Sequence, residues 1–88
     1  MRVATRVVFK ISNTFPEWAK VFDADRLNQE SAGITPVFRG VSESDPSKVM
    51  AILVAEPGAL AKFMKNNPDV ATSGHIIGSE EFTNWLTF

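Results

Sequence analysis

Cysteine is missing from this chain of 88 residues. Disulfide staples, zinc ribbons and thiol catalysis are therefore excluded. The lack of cysteine fits a reducing compartment, and a cytoplasmic protein is expected. Histidine occurs once, as His75. A single histidine without a serine elbow does not make a hydrolytic triad. No G-x-G-x-x-G, G-K-[ST] or H-E-x-x-H is present, so neither a cofactor nor a metal is expected. The longest apolar run, Val49 to Ala55, is far too short to span a bilayer, and no membrane partner is expected. In the opening "MRVATRVVFKI", Arg6 and Lys10 interrupt what would be a signal-peptide core. No basic run interleaved with aromatics occurs and the net charge is −1, which does not suggest a nucleic-acid partner. No linker, repeat or charge block divides the chain, so one domain over residues 1–88 is expected.

What is present is an ordinary globular balance, 44% hydrophobic and 22% charged. A domain this small buries only about 60–65% of its unfolded surface. Its core is thin, and association would help it. The first segment alternates, with Val3, Thr5, Val7, Phe9 and Ile11 on one face and Arg2, Ala4, Arg6, Val8 and Lys10 on the other, which reads as a strand. "NTFPEW" then starts a helix: Thr14 and Glu17 have capping-box spacing, and Pro16 suits a first turn. Phe15, Trp18, Ala19 and Phe22 form its apolar stripe. The stripe stops at "DADR", where the helix is expected either to bend or to change exposure. "SAGI" closes it, with Gly33 as a left-handed cap.

"ITPVFRGV" reads as a second strand, and Pro36 places it at a sheet edge. "SESDPS" is a turn and "KVMAILVAE" a third strand. Pro57 is expected in the first turn of a second helix, with Leu60, Phe63 and Met64 facing inward. Asn66, Asn67 and Pro68 end that helix, and "PDVATSG" reads as one further turn capped by Gly74. "SGHIIGSEEFTNW" carries the chain into a last strand, "FTNWLTF". The order β-α-β-β-α-β is the ferredoxin-like split motif, an α+β fold with a four-stranded antiparallel sheet and two helices on one face. The third strand is apolar on both faces, and helices cover only one of them. A second copy packed sheet to sheet is the economical cover. The expectation is a homodimer, a dimeric α+β barrel; the alternative is a monomer with a greasy open sheet.

These segments, "FPEWAKVFD", "AGITPVFRGVSESDPSKV" and "SGHIIGSEEFTNWL", resemble a family of small proteins found mainly in marine cyanobacteria. The resemblance spans nearly the whole chain and implies membership of the dimeric α+β barrel superfamily. That superfamily includes cofactor-free antibiotic-biosynthesis monooxygenases, muconolactone isomerases, polyketide cyclases, chlorite dismutase-like haem proteins and stress-responsive barrels. They share a scaffold and no motif, so the resemblance implies the fold and not a reaction.

Single residues carry what remains. His75 is the candidate proton-transfer residue, since an unperturbed imidazole changes charge near neutrality; a loop histidine bonded to backbone is the plainer reading. A lone histidine is no haem signature. Arg6 and Lys10 point to the expected dimer side, where Arg6 is a candidate to line a wet pocket for a small anionic or carbonyl-bearing ligand. Arg39 is expected to join it, unless both arginines pair with carboxylates such as Glu43 or Glu56. Trp85, with Thr83 and Thr87, is read as an opposite wall for an aromatic ligand or as dimer packing. Asp23 and Asp25 alternate, but the glycine and distal glutamate of a calcium loop are missing. Two function classes follow. One is a structural, stress-related or small-ligand-binding homodimer. The other is a cofactor-independent monooxygenase or isomerase acting on a small aromatic or polyketide-like compound, with His75 moving the proton.

Overall fold

In the computed structural model, which describes all of Met1–Phe88, strand β1 (Arg2–Lys10) leads into helices α1 (Phe15–Ala24) and α2 (Arg26–Ser31). Strands β2 (Thr35–Val41) and β3 (Lys48–Ala55) follow. Helices α3 (Ala59–Asn66) and α4 (Pro68–Thr72) then precede β4 (Glu81–Thr87). The sheet is antiparallel with strand order β2-β3-β1-β4. This is the ferredoxin-like arrangement: each pair of strands joined through helices is separated by one strand between them. No helix is long and apolar enough to cross a membrane.

The alternation in β1 sorts its side chains as expected. Val7, Phe9 and Ile11 are buried with Val49, Ala51, Leu53 and Ala55 of β3. Trp18 and Ala19 of α1 and Ile34 complete this core, and Phe15, Phe22, Leu60 and Phe63 pack against it. The opposite face carries Ala4, Arg6, Val8, Met50, Ile52 and Val54, and no element of the chain covers it. β2 is an edge strand, and its register slips between Pro36 and Phe38. Proline's missing donor and the bulge fall at the same place.

The ends of the helices follow local chemistry. Thr14 Oγ1 accepts from the Glu17 N–H, and the Thr14 N–H donates to Glu17 Oε1, closing the capping box. After α2, the Ile34 N–H donates to the Gln29 carbonyl and the Gly33 N–H to that of Glu30. That is the Schellman pattern, and Gly33 adopts φ 76° to make it. The first helical segment breaks at Asp25, which has φ −86° and ψ 9°, within the "DADR" where a bend or a change of exposure is expected. One expectation needs correction. Pro57 lies before α3 and not in its first turn, because Gly58, at φ 82°, takes the N-cap position.

Candidate functional site

The break at Asp25 shapes a cavity between the sheet and the helices. Trp18, Phe22, Asp25 and Gln29 recur at helical spacing, so the inward stripe of α1 continues into α2 with polar residues. Gln29 is 3% exposed and Asp25 8%. The cavity measures about 70 Å³. Its walls are mostly apolar, with Trp18, Phe22, Leu60 and Phe63 among them, and Asp25, Gln29, Asp69, Ser73 and His75 supply its polar groups.

Each polar group has a definable state. The Gln29 Nε2 amide donates to the Phe22 carbonyl at 3.2 Å. This fixes which end of the amide is which. Its Oε1 is buried and has no partner. Asp25 accepts from Asn28 Nδ2 at 2.7 Å on one oxygen and from Asn67 Nδ2 at 2.6 Å on the other. Asn67 also caps α4, accepting the Asp69 N–H at 3.0 Å. The Asp69 carboxyl is raised above the usual aspartate range, first by its hydrogen bond to Asp25 and then by burial and the like charge.

His75 lies in the loop between α4 and β4, and that loop is stitched to the end of β1. The Ser12 N–H donates to the Gly74 carbonyl, the Ile76 N–H to that of Lys10, and Ile11 bridges His75. Gly74 is required here: its φ is 99°, and a Cβ would collide with the Asn13 side chain. The imidazole is buried, stacked on Phe9 at 4.2 Å between ring centroids and 14° between planes. Its Nε2 is 2.8 Å from Glu80 Oε1. Burial works to raise the Glu80 carboxyl. The hydrogen bonds it accepts, from its own backbone, His75 and the Gly78 N–H, outweigh burial and hold it below the usual range. An ionised Glu80 only accepts, so in this hydrogen bond Nε2 is the donor.

The candidate residues do not form one site. His75 borders the cavity on the helix side of the sheet. Arg6 is on the opposite face, exposed, beside a depression lined by Phe38, Gly40 and Met50. Trp85 shares that face: Arg6 pairs with Thr83 across the strands, and Trp85 pairs with Ala4. Trp85 is 63% exposed. Arg39 does not join Arg6. It pairs with Ala51 in register and so projects to the helix side. There it grips Asp23 with two bonds, Nε to Oδ1 at 2.8 Å and Nη2 to Oδ2 at 2.7 Å, and lies 5.6 Å from the Phe15 ring. Its carboxylate partner is thus Asp23, and not Glu43 or Glu56. Lys10 pairs with Asp45 at 2.6 Å. Asp25, Gln29 and Asn67 were missed as site residues. Their signal was positional, since Asp25 and Gln29 stand at i+3 and i+7 from Phe22 on a stripe read as ending there.

Comparison with solved structures bears on the fold. A variant of SnoaB, a cofactor-independent oxygenase from Streptomyces nogalater, superposes with TM-score 0.70 at 13% identity, over 98% of this chain and 92% of that one. A candidate antibiotic biosynthesis monooxygenase from Caulobacter crescentus gives TM-score 0.64 at 13% identity, over 96% and 87%. A NIPSNAP domain protein from Burkholderia xenovorans gives 0.57 at 13% identity, over 100% and 95%. Identities this low show a shared ferredoxin-like fold and transfer no chemistry. No curated protein matches the sequence. Residues 3–87 match the family described as a domain of unknown function, DUF3764, and the chain belongs to that family.

Proposed function

We propose that the protein is a cytoplasmic homodimeric α+β barrel that binds a small ligand in the cavity of each subunit. The observation that carries this is the buried, unpartnered Gln29 Oε1 in the wall of a mostly apolar cavity. A buried acceptor without a donor costs free energy and awaits one. The dimer rests on the open sheet face, where the half-buried Val8, Met50, Ile52 and Val54 adjoin the exposed Phe38 and Trp85. A second copy covers such a face at no cost in chain length. Arg6, with Thr83 and Trp85, is then proposed to line that interface and to take an anionic or aromatic group there. Xenon under pressure, followed by NMR, tests the cavity. The Trp18 and Leu60 resonances should shift while those of Trp85 stay still. Shifts confined to Arg6 and Trp85 would move the site to the open face.

A second reading is favoured by one observation, the buried His75 held by Glu80 at the cavity edge. A histidine oriented by a carboxylate is suited to moving a proton. On this reading the protein is a cofactor-independent monooxygenase or isomerase, and His75 is its base. Size weighs against an aromatic substrate in the present shape. Benzene occupies cavities of about 150 Å³, and this one is about 70 Å³, so α3 and α4 would have to move outward. If a substrate is found by oxygen uptake or product analysis, His75→Ala should abolish turnover. Unchanged turnover removes His75 as the base.

A further inference from the structure

We propose that the polar end of the cavity, formed by Asp25, Asp69 and the Gln29 Oε1, binds a small alkylammonium ion. The inference rests on the reading of the cavity as a ligand site and gives the ligand its charge and class.

The carboxyl, amide and hydroxyl groups that border the cavity offer it acceptors. Both Asp25 oxygens accept from asparagine amides and retain further lone pairs. The Gln29 amide has spent its donor on Phe22, so only its oxygen is free. Ser73 Oγ spends its proton on the Val70 carbonyl at 2.8 Å. None of these carboxyl, amide and hydroxyl groups has a donor to spare, and the wall lacks a cation. The ion pairs of the chain are Lys10–Asp45, Arg26–Glu30 and Arg39–Asp23, and the His75 ring is hydrogen-bonded to Glu80. None involves Asp25 or Asp69, and no lysine or arginine borders the cavity. Two neighbouring carboxyls without a counter-charge repel each other, which agrees with the raised Asp69 carboxyl.

The rest of the wall selects among cations. Trp18, Phe22 and Phe63 present aromatic rings. Ring faces attract a cation and accommodate its apolar part. A hard metal ion wants six or more oxygens; the cavity has four oxygen-bearing side chains, and both Asp25 oxygens already accept amide hydrogens. The volume of about 70 Å³ is about half that of a ~150 Å³ cavity that takes up benzene. It therefore fits an ion of the size of methylammonium or dimethylammonium. Asp69 is only half-buried, so the cavity meets solvent on that side.

The test uses the full-length, ¹⁵N-labelled protein and needs no variant for its first arm. Methylammonium chloride is titrated against sodium chloride at equal ionic strength and against methanol, a neutral molecule of similar size. Saturable shifts of the Trp18 indole and the Gln29 side-chain amide with methylammonium alone are the expected result. Asp69→Asn and Gln29→Met, on different elements, should each weaken binding by about tenfold or more. Equal shifts with methanol or sodium, no saturable shift with methylammonium, or unchanged affinity in both variants would overturn the proposal. Xenon separates the two failures. Xenon shifts without methylammonium shifts leave the cavity as a ligand site and reject the cation, whereas silence with both rejects the cavity itself.

Discussion

Asp69 and Glu80 show one chemical group pushed in opposite directions by its neighbours. Asp69 faces a second carboxyl, so its folded form holds a proton more tightly than the unfolded chain. Stability from such a group is present below the unfolded value of about 3.9 and is lost as pH rises through the higher folded value. At neutral pH Asp69 is therefore a liability. Asp69→Asn should raise the Tm at neutral pH and leave it unchanged in acid, as scanning calorimetry at several pH values would show. Glu80 has the opposite sign. Its carboxyl is depressed, so its contribution is present above the unfolded value of about 4.3 and is lost as pH falls through the folded one. Glu80→Gln should lower the Tm at neutral pH and flatten the acid limb of the stability profile. Neither partner was legible in the sequence. Asp25 and Asp69 are far apart along the chain, and only the packing of α4 near the α1–α2 break sets them together.

Among the elements, the helix ends were the most legible because they are local. Thr14, Pro16 and Glu17 lie within one turn, and their hydrogen bonds close without reference to the rest of the chain. Thr14→Ala should cost about 1 kcal/mol. Urea unfolding would read this as a lower midpoint at unchanged slope. Gly33 and Ile34 were legible for the same reason. The break at Asp25 was only half legible. A change after Phe22 was visible in "DADR", but hydrophobic spacing counts a buried aspartate and a buried glutamine as exposed. Asp25 and Gln29 turn inward because Asn28, Asn67 and the Phe22 carbonyl partner them there. Pro57 was misplaced by two residues, since Gly58 in the left-handed region caps the helix after it.

For the whole molecule, the open sheet face is the feature with the largest consequence. Ile52 sits at its centre, paired with Arg6 on one side and Phe38 on the other. Ile52→Lys would set a second cation beside Arg6 in the proposed sheet-to-sheet interface while leaving the helix-side core intact. Light scattering behind a sizing column should report a dimer for the parent chain and a monomer for the variant, with an unchanged circular dichroism spectrum. A parent chain that stays monomeric over the concentration series would refute the shared barrel.

The order of the elements, the edge position of β2 and the two faces of β1 and β3 were determined by sequence alone. Each follows from a period of two or of about 3.6, or from proline and glycine at positions where only they serve. The grouping of side chains into sites was decided only by tertiary structure. The register of β2 on β3 sent Arg39 to Asp23 and away from Arg6. The stitching of the 73–80 loop to β1 buried His75 against Phe9. The packing of α4 near α2 brought Asp69 to Asp25. These are contacts between residues distant along the chain, and periodicity, which compares near neighbours, carries no information about them.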